Sequence, residues 1–396
     1  MPPTNPRARD VLAAAERLAP ELDALSRRIH AHPELGFMEV QASAWLAEYL
    51  AAHGFAVERE AGEVATAFRA TLGAGGGPTV ALLAEYDALP GIGHGCGHNL
   101  IATAAAGAGA ILAAVFGGTA PGRVQVIGTP AEEGGGGKVA LLDAGVFRGV
   151  DAALMIHPAP WTRLHEDLLG RLKLTVEFFG RPAHAAANPD EGVNALDAMV
   201  LHLQGLAAMR QQLRPDARLH GIVTHGGDAP NIIPEHTAGV FYVRALRQEY
   251  VRELARRFEA CAEGAATATG CRVKVTPEAF LYDPMRPNPA LLDRFRANLA
   301  AVGVAEDPSP ARPALASSDV GNVSQALPTI QPWVGILPPG APEVAFHTRE
   351  FRDAAATDHA HGRMRAAACA LALTALDALT DPALLRAARE EFERAG

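Results

Sequence analysis

Val80-Ala81-Leu82-Leu83-Ala84-Glu85-Tyr86-Asp87 leads to His94-Gly95-Cys96-Gly97-His98, which runs into the apolar stretch Leu100–Phe116. An apolar run ending in acids, a glycine-broken polar loop and a helix-like run read as strand, loop and helix. That is where an open α/β sheet places its site. Two imidazoles and one thiol fall within five residues, with glycine at each position between them. Glycine allows bends that other residues resist, so groups this close can converge on one point. Thiolate and imidazole together suit zinc and similar divalent ions. Taken alone, the motif also fits a buried structural cysteine beside two unrelated histidines, because cysteine is among the most buried residue types.

Working outward, the chain keeps an alternating rhythm. Asp10 to Ile29 carries Leu12, Ala15, Leu18, Leu22 and Leu25 at helical spacing. His32-Pro33 ends that helix, and a second runs from about Met38 to His53, stopped by Gly54. Ala67–Leu72, Thr79–Tyr86, Arg123–Gly128 and Ala152–Ile156 read as strands, with a helix from Lys138 to Ala144. This predicts an α/β fold, a mixed or parallel sheet with helices on both faces. From Leu169 the pattern changes. Arg171–Phe179, Leu219–Thr224, Thr237–Arg244 and Arg272–Thr276 are strand-like, and Asn194–Leu213 and Gln248–Thr269 helix-like. That β-α-β-β-α-β order predicts an inserted ferredoxin-like α+β domain. The expected division is residues 1–168 and 283–396 for the α/β domain and 169–282 for the insert, with hinges near Leu169-Gly170 and Asp283-Pro284. A last helix is expected from about Ala354 to Leu379.

Composition narrows the function classes. The chain has 396 residues, enough for two domains, and a net charge of −9 that offers nucleic acid no basic footprint. Cys96, Cys261, Cys271 and Cys369 show no repeating spacing, which predicts free thiols in a reducing, cytoplasmic setting. Met1-Pro2-Pro3-Thr4 lacks the basic start of a secretory leader. Leu100–Phe116 is short of the ~20 residues of a membrane span and is mostly Ala and Gly, so it is expected to be a buried helix.

Further acids and histidines fall at predicted strand ends. Asp87 closes the strand before the Cys/His motif. Glu132 and Glu133 follow Arg123–Gly128 and precede Gly134-Gly135-Gly136-Gly137; His157 follows Ala152–Ile156; His347 precedes the last helix. Singly, each has an ordinary explanation: a turn cap, a solvated acid pair, a satisfied half-buried histidine. Together they supply enough donors for two metal sites sharing a bridge.

This set resembles the zinc aminoacylase/carboxypeptidase metallopeptidase family, in its amidohydrolase branch. The resemblance rests on His30-Ala31-His32-Pro33-Glu34-Leu35-Gly36, Glu85-Tyr86-Asp87-Ala88-Leu89-Pro90, the His-x-Cys-Gly-His motif and Thr129-Pro130-Ala131-Glu132-Glu133. It continues through Gly180-Arg181-Pro182-Ala183-His184, Pro230-Asn231-Ile232-Ile233-Pro234, Ser318-Asp319-Val320-Gly321-Asn322-Val323-Ser324 and Ala345-Phe346-His347-Thr348. Two departures stand out. The wider family has His-x-Asp where this chain has Glu85-Tyr86-Asp87, and hippurate-type members have Asp where this chain has Asn99.

The resemblance implies a mixed-sheet catalytic domain with an inserted lid. It implies two divalent ions per subunit, Zn2+ or Mn2+/Co2+, on Cys96, His98, Glu133, His157 and His347. Glu132 would be the general base for attack by metal-bound hydroxide, and Asp87 would orient a ligand imidazole. His184 would steady the tetrahedral oxyanion, with Asn231 and Arg244 holding the substrate carboxylate. The expected substrate is a small dipeptide or N-acyl amino acid of Xaa-Arg or Xaa-Lys type. The expected partner is a second copy, forming a homodimer through the lid. One alternative is an amidohydrolase for p-aminobenzoyl-glutamate or another aromatic N-acyl amino acid. Another, of a different class, is a catalytically silent metal-binding protein, against which the presence of Glu132 argues. A zinc nucleobase deaminase is disfavoured, because no Pro-Cys-x-x-Cys follows a His-x-Glu.

Overall fold

A computed structural model of the chain describes residues 5–73, 75–165, 167–308 and 316–394. Met1-Pro2-Pro3-Thr4 lies outside the described residues. In chain order the strands are β1 (Ala56–Arg59), β2 (Phe68–Leu72), β3 (Thr79–Ala84), β4 (Arg123–Gly128), β5 (Ala152–Leu154), β6 (His157–Ala159), β7 (Gly170–Phe179), β8 (Arg218–His225), β9 (His236–Ala245), β10 (Arg272–Pro277), β11 (Thr329–Ile330) and β12 (Trp333–Gly335). The helices are α1 (Ala8–Ala31), α2 (Val40–Ala52), α3 (His98–Phe116), α4 (Gly137–Asp143), α5 (Ala195–Arg210), α6 (Gln248–Thr269), α7 (Pro289–Ala301), α8 (Val320–Ala326), α9 (Arg349–Ala354), α10 (Asp358–Thr380) and α11 (Pro382–Arg394). The chain divides into two compact units: residues 1–166, 286–314 and 322–396 in one, and 167–285 with 315–321 in the other.

The first unit is built on a mixed sheet in the order β1-β2-β4-β3-β5-β11. β3 pairs in parallel with both β4 and β5, whereas β2 runs antiparallel to β4. Every residue of β3 is buried, as expected of a parallel strand covered on both faces. α3 is long and apolar enough to cross a membrane, yet nearly all of it is buried within the unit. Its glycines permit close packing. A Cβ on Gly107 would lie 2.9 Å from Leu22 of α1, and one on Gly109 would lie 2.7 Å from Val126 of β4. The core formed this way includes Leu18, Leu22 and Leu25 of α1, most of α3, and Leu371, Leu373 and Leu376 of α10. It holds the carboxyl ends of β3 and β4 and the start of α3 in fixed relation.

The second unit has one antiparallel sheet in the order β10-β7-β9-β8. From Lys173 to Phe179, β7 alternates half-buried and buried residues, the period-2 pattern of a sheet covered on one face. Leu174, Val176 and Phe178 of β7 pack with Met199 of α5 and Leu254 and Phe258 of α6. Asn194 caps α5 by accepting the amides of Leu196 and Asp197.

The C-terminal region differs from expectation. The helix expected from about Ala354 is α10, but it does not start there: α9 is a separate short helix that ends at Ala354, and α10 starts at Asp358, capped by the Thr357 hydroxyl accepting the Ala360 amide. Nor is it the last, because α11 comes after Asp381. The sequence pattern assigns no element to α7, β1 or the β6–β12 pair.

Candidate metal centre

β3 ends in Ala84, and the chain delivers Glu85 and Asp87 directly beyond it. The loop Ala88–Gly97 returns to the same edge and opens α3, with Gly97 at φ 75°, a conformation glycine adopts without steric cost. Cys96, at 8% exposure, and fully buried His98 therefore arrive beside Asp87. β4 ends nearby, and the turn 130–136 carries Glu132 and Glu133. β6 supplies His157. His347, at φ 62°, is tied to the Cys/His loop by its amide, which donates to the Gly95 carbonyl at 3.0 Å.

The polar atoms converge. Ligand-type atoms of Cys96, His98 and His157 lie within 4.8 Å of one another, as do those of Cys96, Glu133 and His347, and those of Glu85, His98 and Glu132. Cys96 is common to the first two groups. Asp87 sits behind them, buried, and makes two bonds. Its Oδ1 faces His98 Nδ1 at 2.9 Å, and its Oδ2 accepts the Glu133 amide at 2.9 Å. His157 Nδ1 faces the Pro158 carbonyl at 2.8 Å, leaving Nε2 3.5 Å from the Cys96 sulfur. Both imidazoles are thus oriented through Nδ1 and present Nε2 to the cluster, the arrangement in which an outer partner fixes a metal-ligating ring.

Electrostatics bear this out. Burial opposes charge on His98, but the Asp87 carboxylate and the contacts with Asp87 and Cys96 hold its pKa well above the usual imidazole value. Burial holds His157 down to about 4. Burial, then the Glu133 carboxylate, pushes the Cys96 thiol up. Burial also works against Glu133, yet His347 and His98 pull its pKa below the usual carboxylate value. His98 Nε2 and Glu133 Oε1 are buried and make no hydrogen bond, with His347 Nε2 at 3.4 Å from Glu133 Oε1. A buried imidazole nitrogen and carboxylate oxygen without hydrogen-bond partners, beside a buried thiol, fit a divalent cation, which would displace the His98 and Cys96 protons on binding.

Glu132 and Glu133 do not lie on extended backbone. An extended backbone would send adjacent side chains to opposite sides, but residues 132–135 form a turn after Ala131, whose φ is 57°. Both carboxylates come within 3.9 Å of His98 Nε2. Their difference lies in company: Glu133 joins Cys96 and His347, and Glu132 joins Glu85 and His98.

In the second unit, His184 is exposed, and its Nδ1 accepts the amides of Ala186 and Ala187 at 3.2 and 3.1 Å. That leaves Nε2 as the donor of this exposed ring. Asn231 is adjacent, its carbonyl accepting the Ala185 amide at 3.0 Å. Arg244 lies on β9 with one guanidinium nitrogen 3.3 Å from the Ser317 hydroxyl and a buried Nε that makes no hydrogen bond. Burial, then the neighbouring Arg171, lowers its pKa.

Several residues at the site carry no sequence signal strong enough to single them out. Glu85 is fully buried, with Oε1 2.6 Å from the equally buried Lys138 ammonium and Oε2 3.7 Å from His98 Nε2. Its place in the acidic triplet is the available signal. Glu39 is also buried behind the 130–136 turn. Asn99 uses its amide to donate to the Ser26 hydroxyl at 3.0 Å and the Ala355 carbonyl at 3.2 Å. An aspartate there could not donate to that carbonyl.

A mixed α/β sheet whose strand ends and adjoining loops gather a thiol, imidazoles and carboxylates into two groups sharing the thiol defines a metal-binding hydrolase. The chain belongs to peptidase family M20/M25/M40, whose profile matches residues 81–361. It is 40% identical to the Xaa-Arg dipeptidase of Mus musculus, over 96% of this chain and 91% of that one. It is 30% identical to one of the subunits of p-aminobenzoyl-glutamate hydrolase from Escherichia coli, over 93% and 91%. A dinuclear metal-binding M20 peptidase from Bacillus subtilis shares the fold at a TM-score of 0.67 and 19% identity, over 91% of this chain and 99% of that one.

Proposed function

We propose that this hydrolase cleaves the amide bond of a small dipeptide or N-acyl amino acid, of Xaa-Arg or Xaa-Lys type. The observation that carries the reading is the pair of donor groups sharing Cys96, with Glu132 beside them. Cys96, His98 and His157 would hold one ion, and Cys96, Glu133 and His347 the other. Thiolate and imidazole favour zinc, and the carboxylate leaves manganese or cobalt as alternatives. Two such ions would polarise the scissile carbonyl and acidify a water at neutral pH. Glu132, kept out of the shared-cysteine groups, takes the proton of the attacking water and returns it to the leaving amine. Asp87 orients His98 and, through the Glu133 amide, the turn that carries both glutamates.

The second unit is read as an inserted ferredoxin-like lid, residues 169–282. Its element order and its single four-stranded sheet support this. His184, exposed and with Nε2–H as its donor, suits a developing oxyanion. Arg244, with an unbonded guanidinium nitrogen, suits a substrate carboxylate, and Asn231 stands next to His184 to assist. A homodimer through this unit is supported by edge strand β8, where Ile222 is 66% and Val223 41% exposed, and by exposed Val200, Leu201 and Leu203 on α5. The four cysteines are free thiols, which supports a cytoplasmic setting.

Substrate choice rests on the named activity of the mouse relative, and the second reading, an aromatic N-acyl-glutamate amidase, on that of the E. coli relative. The test is a chelated protein reloaded with zinc, manganese or cobalt and offered dipeptides, p-aminobenzoyl-glutamate and N-acyl amino acids, read by amine release. Metal-restored cleavage of basic dipeptides is expected. Full activity in verified metal-free protein would overturn the reading, and preference for the aromatic glutamate conjugate would favour the second.

A further inference from the structure

Glu39 stands immediately before α2, and its side chain is fully buried. Oε1 accepts the Ala131 amide at 2.8 Å, and Oε2 accepts the Thr66 hydroxyl at 2.8 Å. Ala131 directly precedes Glu132 and adopts φ 57°, a region a residue with a Cβ enters only at a cost. The segment around Glu39 grips the same turn in two more places. A Cβ on Gly36 would fall 2.9 Å from Ala131 Cβ, and one on Gly135 would fall 2.8 Å from the Phe37 ring. Phe37 is itself left-handed, at φ 61°. Earlier in the segment, the Glu34 carbonyl accepts the Ala88 amide at 2.8 Å, tying it to the loop behind Asp87. Glu39 belongs to none of the three donor groups. A buried acid is an expensive way to fill space: burial, then the Asp87 charge, raises its pKa to about 7. Its geometry identifies what it does there, since an inward-pointing amide on a strained turn needs an acceptor.

We infer that Glu39 is a positioning residue whose carboxylate pins left-handed Ala131 and thereby fixes the turn that sets Glu132 beside Glu85 and His98 and Glu133 beside Cys96 and His347. This rests on the assignment of Glu132 as base and Glu133 as ligand. Glu39→Gln keeps an acceptor for the Ala131 amide; Glu39→Met keeps the bulk and removes it. Ala131→Gly removes the cost of the left-handed turn and so reduces the need for a pin.

Full-length parent, the two Glu39 variants, Ala131→Gly and the Glu39→Met/Ala131→Gly double variant are compared after loading with cobalt. The readouts are cobalt per chain, the visible absorption of the bound cobalt, and kcat and KM separately. Glu39→Gln is expected to stay close to the parent. Glu39→Met is expected to shift the cobalt spectrum and lower kcat on the order of 10²-fold, the scale of a misplaced catalytic group, with KM nearly unchanged. That loss should be smaller in the Ala131→Gly background. Should Glu39→Met fail to fold, Thr66→Val removes the hydroxyl that aims the carboxylate and is expected to give the same kcat-only loss, several-fold in size. A folded Glu39→Met or Thr66→Val with parental spectrum and kcat overturns the inference, as does equal loss in the Gln and Met variants. If the parent itself cleaves no amide, the functional reading fails, and the cobalt spectrum alone still decides the role of Glu39.

Discussion

Cys96 serves in two donor groups, with His98 and His157 in one and Glu133 and His347 in the other. Its loss therefore differs in kind from loss of His157 or His347, each of which belongs to one group. Cys96→Ser, whose hydroxyl is a far poorer ligand than thiolate, is expected to weaken both sites. His157→Ala and His347→Ala are each expected to weaken one. Metal content per chain after dialysis checks this, with Cys261→Ser, Cys271→Ser and Cys369→Ser as controls that retain both ions; equal content in all four serine variants would return Cys96 to a structural role. A second residue-scale expectation concerns His202 in the core of the second unit. Its ring meets Phe258 edge-on at 4.6 Å, with Phe241 and Phe178 close by. Burial lowers its pKa from 6.5 to about 4. The unfolded chain therefore binds a proton that the folded chain refuses between those values. The resulting stability is complete above pH 6.5 and falls as pH drops toward 4, by at most about 3 kcal/mol. His202→Leu should flatten this slope, read as the difference in thermal midpoint from the parent at about pH 7 and about pH 4.5, either side of most of that window. Parallel slopes would contradict it.

At the scale of elements, the 130–137 turn is set by what its glycines allow. A Cβ on Gly137 would sit 1.8 Å from the Pro130 carbonyl oxygen, a backbone atom that cannot swing aside. Gly137→Ala should therefore shift the turn, lower metal content at the Glu133 site and cut turnover. Gly134→Ala meets no neighbouring atom but sits at φ 115°, so its cost is backbone strain alone, of order ~1–3 kcal/mol. Metal analysis and thermal melts of both variants separate clash from strain, and unchanged metal content in Gly137→Ala would count against a rigid turn. This element also shows how far the sequence can be read. Strand, glycine loop and helix around Cys96 and His98 are legible, because ligand-type residues and local periodicity share one short segment. Glu39 is not, because an acid just before a helix is ordinarily solvated and only packing of the 34–39 segment on the turn buries it. Lys138 and Glu85 are hidden likewise, each looking like a surface charge until paired inside the unit. The break between α9 and α10 is concealed because Ala354-Ala355-Ala356 favours helix locally. Thr357 ends the run by capping α10.

At the scale of the whole molecule, the metal-type cluster belongs to one compact unit and His184 to the other. On the proposed lid role of the second unit, turnover is expected to depend on both. The two backbone amides on Nδ1 leave Nε2 as the donor of the His184 ring, so on the proposed oxyanion role His184→Ala should cut the rate while leaving metal content unchanged. Glu132→Gln should also keep its metals and fold, and lose about 10²-fold or more in turnover as a missing general base does. If two copies pair through β8 and α5, and His184 of one copy completes the site of the other, a dimer carrying one of each variant contains one intact combination. Mixing the two inactive proteins under conditions of proven subunit exchange should then recover part of the parental rate. Ile222→Lys, a charge placed on the exposed edge strand, should prevent pairing and abolish that recovery, with size-exclusion chromatography reporting the oligomeric state. Exchanged mixed dimers with no recovered activity would mean that each subunit works with its own His184. A monomeric parent that hydrolyses substrate at full rate would remove the dimer from the account altogether.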